Sequence, residues 1–503
     1  MTPDPVFGPY AILHLLQAPN IGIFRLCGYS LCSGLFGCRF GITACLLPNR
    51  TPTRTVNARV PRICIIGAGI SGIAAAKCLK DKGLAYDCFE ASSTLGGNWL
   101  FQNPNGMSSA YRSLHIDTSK QKLEFPDFPM PDEYPTFCHH SHIHQYFEDL
   151  VDHFGLRDAI RFGAPVRKAE RRADGAWKIT LDAGVRDYQH LIVATGHHWD
   201  PSWPEFPGTF DGPTIHSHQY IDPFDPIDLK GKRVLVVGIG NSAVDIASEL
   251  SNRGLAERLV LSTRRGAYVV PKYLFGKPID QIVETNPYIP LAVQRKVAAL
   301  LIRWLVGRVE DYGMPTPDHE LLTAHPTVSS DLLQRVGNGD IIVKPNVTEL
   351  LGDRVRFTDG TVEVLDAIIY ATGYKITFPF FDPELIAAPD NVFPLFKRVF
   401  IPGFDNLMFV GFAQAIPSII GFVQDQAKWI AAYLAGEYAL PAIDEMEAAI
   451  ERDEARMMSH YVASSRHTMQ VDHVLYARDL AKEWKRGRRR ARAGLQHGSA
   501  VSG

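Results

Sequence analysis

Two glycine clusters carry the first recognisable chemistry in this sequence. Gly67-Ala68-Gly69-Ile70-Ser71-Gly72 has the spacing G-x-G-x-x-G. The first glycine suits a tight turn, the second lets the backbone approach a pyrophosphate, and the third lets a helix pack close to a strand. Glu90 follows at about 20 residues, where an acid accepts hydrogen bonds from a ribose with free hydroxyls. Gly238-Ile239-Gly240-Asn241-Ser242-Ala243 repeats the spacing, with alanine in the third place. No acid follows it; Ser262-Thr263-Arg264-Arg265 does. A hydroxyl and two guanidinium groups there suit the 2′-phosphate of NADP, because a guanidinium binds phosphate through two parallel hydrogen bonds. The plain alternatives are an exposed glutamate and a solvated arginine loop. Two dinucleotide sites in one chain imply electron flow between two cofactors. The nicotinamide is the natural donor, and FAD, which also carries an adenosine diphosphate, is the expected occupant of the first site.

These residues need elements to hold them. Residues 62–66 form a short apolar run that reads as a buried parallel strand, 70–80 as a helix and 85–90 as the next strand. The pattern returns as a strand over 233–237, a helix over 243–250 and a strand over 259–262. The expected fold class is α/β, with two doubly wound, Rossmann-like dinucleotide-binding domains. Two further apolar strands, 191–196 and 367–374, each contain Ala-Thr-Gly and read as the places where the chain leaves and re-enters the first domain. The NADPH domain is therefore expected as an insertion in the FAD domain. The expected boundaries are an extension over 1–60, the FAD domain over 61–214 and 331–445, the NADPH domain over 215–330, and a helical segment with a basic tail over 446–503.

The order of the remaining motifs resembles the flavin-containing monooxygenases, neighbours of the Baeyer–Villiger and N-hydroxylating monooxygenases. Gly96-Gly97-Asn98-Trp99 looks like the family's GGxW segment near the flavin, and residues 111–120 like its next segment. Phe210, Gly212, His216 and Tyr220 fit F-x-G-x-x-x-H-x-x-x-Y. The stretch 366–374, with Thr372 and Gly373, resembles the ATGY strand, and the helix around Gln426 resembles the segment that closes over the flavin. The likeness runs from about residue 61 to about 435. It implies that NADPH reduces FAD and that a C4a-hydroperoxyflavin passes one oxygen atom of O2 to a small organic substrate. N- or S-oxygenation is the expectation; ketone oxygenation of the Baeyer–Villiger type, or an NADPH-binding flavoprotein with an oxidase or regulatory role, are the alternatives. Tyr220 favours the heteroatom, since the Baeyer–Villiger signature usually ends in tryptophan. By the same resemblance Gly97, Trp99, Thr372, Gly373 and Gln426 are cofactor-binding candidates. Asp117 stands where many members carry an asparagine that bonds the flavin edge, which makes it the catalytic candidate. A charged carboxylate there would oppose negative charge on the flavin, so either burial raises its pKa or it turns away.

Composition bounds the rest. The 503 residues fit two domains of ordinary size. The net charge of -2 suggests no nucleic-acid partner. The 8 cysteines form no secreted disulfide framework, which suits a reducing, cytoplasmic setting. Cys27 and Cys32 have the spacing of some disulfide reductases but precede the first glycine cluster rather than follow it. Residues 1–60 hold five arginines against the single acid Asp4, consistent with a disordered extension, a targeting segment or peripheral membrane contact. Pro9, Pro19 and Arg25 interrupt any run long enough to span a bilayer. The Cys138–His144 run tempts as a metal site but has no second ligand cluster, so no metal is expected. His216 reads as a structural hinge residue. Oligomeric state is not readable from the sequence.

Overall fold

A computed structural model describes residues 62–500 apart from 284, 287, 322, 324, 325 and 461–468. The expected extension over 1–60, with Cys27 and Cys32, lies outside the described residues. In chain order the strands that frame the glycine turns are β1 (Ile63–Ile66), β2 (Tyr86–Phe89), β3 (Ile160–Arg161), β4 (His190–Val193), β5 (Thr214–His216), β6 (Arg233–Val237), β7 (Arg258–Ser262), β8 (Ile342–Lys344), β9 (Ala367–Tyr370) and β10 (Leu407–Phe409). The helices that matter most are α1 (Ile70–Asp81), α2 (Asn241–Leu250) and α3 (Ile419–Leu434).

One parallel sheet has the order β10-β4-β1-β2-β3, and the other β5-β9-β6-β7-β8. In each, the strand before the glycine turn (β1 or β6) is central and its four or more apolar residues are buried, as a sheet covered on both faces requires. Ala74, Ala75 and Ala76 keep α1 slim around its axis, and it shares one core with Ile420, Val423, Ala427 and Ile430 of α3. Trp429, fully buried, closes that core with its ring edge-on to Phe400 at 5.2 Å.

The strand pairing corrects the expected return at residue 331. β8 pairs with β7, and β9 lies between β5 and β6, so residues 342–344 and 367–370 belong to the second sheet, while the strands within 347–364 form a separate sheet with residues 208–210. The physical reason explains the likeness of the two Ala-Thr-Gly segments. β4 flanks β1 in one sheet as β9 flanks β6 in the other, so the two segments are equivalent positions in two halves. A side-chain carbon on Gly67 would come within 2.7 Å of the Ala194 carbonyl oxygen, and one on Gly238 would overlap that of Ala371. The first sheet resumes only at β10. At the other end of the chain, the basic run over 485–492 is part of the helix His473–Ala500, where Arg490 donates to the Ala439 carbonyl at 3.0 Å. Among the described residues no helix is long and apolar enough to cross a membrane.

Candidate functional site

The first turn is built by backbone approach. Gly67 N–H donates to the Phe89 carbonyl at 2.8 Å, tying the turn to β2. Gly69 and Gly97 face each other closely enough that a side-chain carbon on Gly97 would lie 3.1 Å from Gly69 Cα. No side chain caps α1, whereas Ser418 caps α3. The free N–H groups and positive dipole end of α1 therefore open onto a glycine-lined cradle, which fits a pyrophosphate. Glu90 is buried at the end of β2, with Oε2 accepting from Ala68 N–H at 2.6 Å and Oε1 from Ser92 N–H at 2.8 Å. Burial pushes its carboxyl up and these two bonds oppose the rise. Glu90 thereby braces the turn. Trp99, in the short turn Gly97–Trp99, is half-buried against the core of α1.

The second turn leads into α2, again with no side-chain cap. Asn241 at its start accepts from Val328 N–H at 3.1 Å, and Ser242 beside it is half-buried. Beyond β7 a cavity of about 430 Å³ is lined by Thr263, Arg264, Arg265, Asp318 and Lys344, among others. Arg265 Nε lies 3.3 Å from Asp318 Oδ2. The expected role of Ser262 is corrected: it is fully buried, and its hydroxyl donates to the Pro345 carbonyl at 2.7 Å. As the last residue of a core strand it points inward, and Thr263 and the arginines meet the cavity instead. Lys344, the last residue of β8, and Asp318 were invisible to motif spacing because both lie more than 50 residues beyond β7 in the sequence. Thr372 and Gly373 sit beside this second turn, with Thr372 Oγ1 donating to the Ser202 carbonyl at 2.5 Å and Ser202 N–H to that of Gly373 at 2.9 Å.

Gln426 does not present a free amide. Gly411 N–H donates to its Oε1 at 2.9 Å, and its Nε2 donates to the Arg398 carbonyl at 3.0 Å. Gln426→Leu keeps the bulk but orphans both backbone groups, at about 1–3 kcal/mol for each buried group. A drop of roughly 3 kcal/mol in the urea unfolding free energy is expected; unchanged stability with weakened flavin binding would contradict a bracing role.

Between the halves runs the segment 111–121. Asp117 is half-buried and pairs with Lys272, whose Nζ lies 3.1 Å from Oδ1. Burial pushes the Asp117 carboxyl up, and Lys272 opposes this. Lys272 is the partner that sequence reading missed. Thr118 Oγ1 donates to the Pro417 carbonyl at 2.9 Å, just ahead of α3, and Asp280 accepts from Ser119 N–H at 2.7 Å. His216 is fully buried, accepts from His218 N–H at 3.1 Å, and lies 5.5 Å from the Tyr374 ring. Tyr220 donates to Glu249 of α2 at 2.8 Å. The Cys138–His144 run serves a helix start: His139 accepts from Ser141 N–H, and His144 bonds the Leu95 carbonyl at 3.1 Å.

Two nucleotide-binding halves joined by a half-buried charged seam define a two-cofactor oxidoreductase. The flavin-containing monooxygenase 5 of Oryctolagus cuniculus is 34% identical over 442 residues, covering 84% of this chain and 82% of its own length. The N-oxide-forming dimethylaniline monooxygenase 2 of the same organism is 34% identical over 447 residues, with the same coverages of 84% and 82%. The solved S-allyl-L-cysteine S-oxygenase of Allium sativum is similar in fold, with a TM-score of 0.63 at 24% identity over 84% of this chain and 88% of its own. The chain belongs to the flavin-binding monooxygenase-like family, whose pattern matches residues 60–486. It is an NADPH-dependent flavin monooxygenase with FAD and NADPH as its cofactors.

Proposed function

We propose that this chain oxygenates a nitrogen or sulfur atom of a small organic substrate. The observation that carries the reading is Tyr220 closing the F-x-G-x-x-x-H-x-x-x-Y signature, seated on Glu249 of α2. A relative named for N-oxide formation supports it. When bound, FAD reduced by NADPH supplies the electrons that activate dioxygen. In this reading the protein binds, orients and shields. Gly67, Gly69, Gly72 and Gly97 hold the FAD pyrophosphate over α1, Glu90 its ribose, and Trp99 borders that half. Gly238, Gly240, Asn241 and Ser242 hold the NADPH pyrophosphate over α2, with Thr372 and Gly373 buttressing the turn. Arg264 and Arg265 take the 2′-phosphate. Asp117 faces the flavin edge, paired with Lys272. The NADPH half is an insertion between β4 and β10.

The test is a competition. With NADPH and air, equal amounts of a tertiary amine, an organic sulfide and a cyclic ketone are offered, and products are resolved by mass. N-oxide or sulfoxide in excess is expected. Lactone as the sole product would transfer the chain to ketone chemistry.

A further inference from the structure

The seam holds more charge than nucleotide binding explains. From the first half come Tyr111 and Asp117; from the second come Lys272 and two acids one turn apart on α2, Asp245 and Glu249. Tyr111 Oη donates to Asp245 Oδ2 at 2.5 Å, and Lys272 Nζ lies 3.1 Å from Asp117 Oδ1. Each aspartate is thus held by a residue of the opposite half. Glu249 is separately engaged, by the Tyr220 hydroxyl and by Ser113.

Tyr111 and Asp117, six residues apart on one segment, thus bring Asp245 within electrostatic reach of both Asp117 and Lys272. Lys272 can neutralise one carboxylate. Ionising the second in the same space adds a like charge with no cation to meet it, so the pair retains a proton. Lys272 is in contact with Asp117, whereas Asp245 accepts its hydrogen bond from the neutral Tyr111 phenol. We propose that Asp245 is the proton-holding carboxyl of the seam, a positioning residue that acts through Asp117. With Asp245 neutral, Asp117 and Lys272 sum to zero, and the seam offers a dischargeable proton in place of a fixed negative charge. This accounts for an aspartate at a position where the family resemblance leads one to expect asparagine. It rests on the proposed placing of Asp117 at the flavin edge.

The surrounding charges act in the same sense. Burial, then the Asp117 charge, pushes the Asp245 carboxyl up to about 7, with Glu249 adding to the rise and the Tyr111 hydrogen bond and Lys272 opposing it. Asp117 itself is faced by Lys272 and His115. The linkage has a definite sign. Native Asp245 holds its proton above the unfolded carboxyl value of about 3.9, so its contribution to stability is full below that value and is lost as pH rises through about 7.

The experiment is an infrared pH titration of the holoenzyme, following the C=O band of a protonated carboxyl between mildly acidic and mildly alkaline pH. The wild type is expected to lose such a band near neutrality, and Asp245→Asn to lack it. Lys272→Met, which removes the cation, is expected to move the midpoint upward by about one unit. The excess of the Asp245→Asn melting temperature over the wild-type value is expected to grow as pH rises from about 4 to about 7. An identical band in Asp245→Asn, or a midpoint unmoved in Lys272→Met, would overturn the proposal. If Asp245→Asn does not fold, the Lys272→Met midpoint decides alone. None of these readouts needs turnover, so they stand apart from the outcome of the substrate competition.

Discussion

Gly72→Ala is expected to yield a chain that cannot retain FAD. A side-chain carbon at this position would overlap the Gly67 carbonyl oxygen and lie 2.9 Å from the carbonyl carbon behind it. Neither can yield. Gly67 is held by its bond to Phe89 and has a φ of +102°, so its peptide is fixed between β2 and β4. The added methyl must therefore lift α1 away from β1, along with the N–H groups that face the cradle. Overpacking commonly costs about 1–3 kcal/mol, and a clash against fixed backbone falls at or above the top of that range. Gly69→Ala is the informative control. Its new carbon would meet only Gly97 Cα, at 3.6 Å, an ordinary contact. That variant is expected to fold with a near-normal melting temperature and still bind FAD poorly, because the methyl enters the space of the pyrophosphate. Flavin absorbance per protein, read alongside the melting temperature, checks both. Full flavin content in Gly72→Ala would contradict the geometry of the turn.

Arg264→Ala with Arg265→Ala is expected to raise the KM for NADPH about a hundredfold while leaving that for NADH nearly unchanged. Both side chains are exposed and border the cavity beyond β7. Hydrogen bonds to a charged group contribute about 1.5–3 kcal/mol each, and the loss of roughly 3 kcal/mol corresponds to about a hundredfold in affinity. Lys344 remains in the cavity, so some attraction to the 2′-phosphate persists. Anaerobic flavin reduction, followed at increasing NADPH and NADH, separates binding from hydride transfer. Equal losses with the two nucleotides would show that the arginines act on something other than the 2′-phosphate.

What the sequence disclosed and what it hid divide along physical lines. Both glycine turns, their strands and Glu90 were legible because each is a local unit in which the chemistry lies within about 25 residues. Ser262 was misassigned because spacing gives the end of β7 but not the direction of its last side chain. The strand 367–370 was assigned to the wrong sheet because equivalent positions in two similar halves carry the same Ala-Thr-Gly. Gln426 resembles a flavin contact by position, yet its amide is spent on Gly411 and Arg398, partners 15 and 28 residues away. Lys272 and Asp245 carry no motif in this reading, since their importance arises only when the second half brings them against Tyr111 and Asp117, 134 residues from Asp245 in the case of Tyr111.

The most direct test of the central claim follows the fate of oxygen. The purified holoenzyme would be given NADPH, isotopically labelled dioxygen and a tertiary amine or sulfide, with product mass and NADPH consumption recorded together. A flavin monooxygenase of this kind predicts one labelled oxygen atom in the product for each NADPH consumed. Unlabelled product, or NADPH consumed with hydrogen peroxide as the only oxidised outcome, would contradict it.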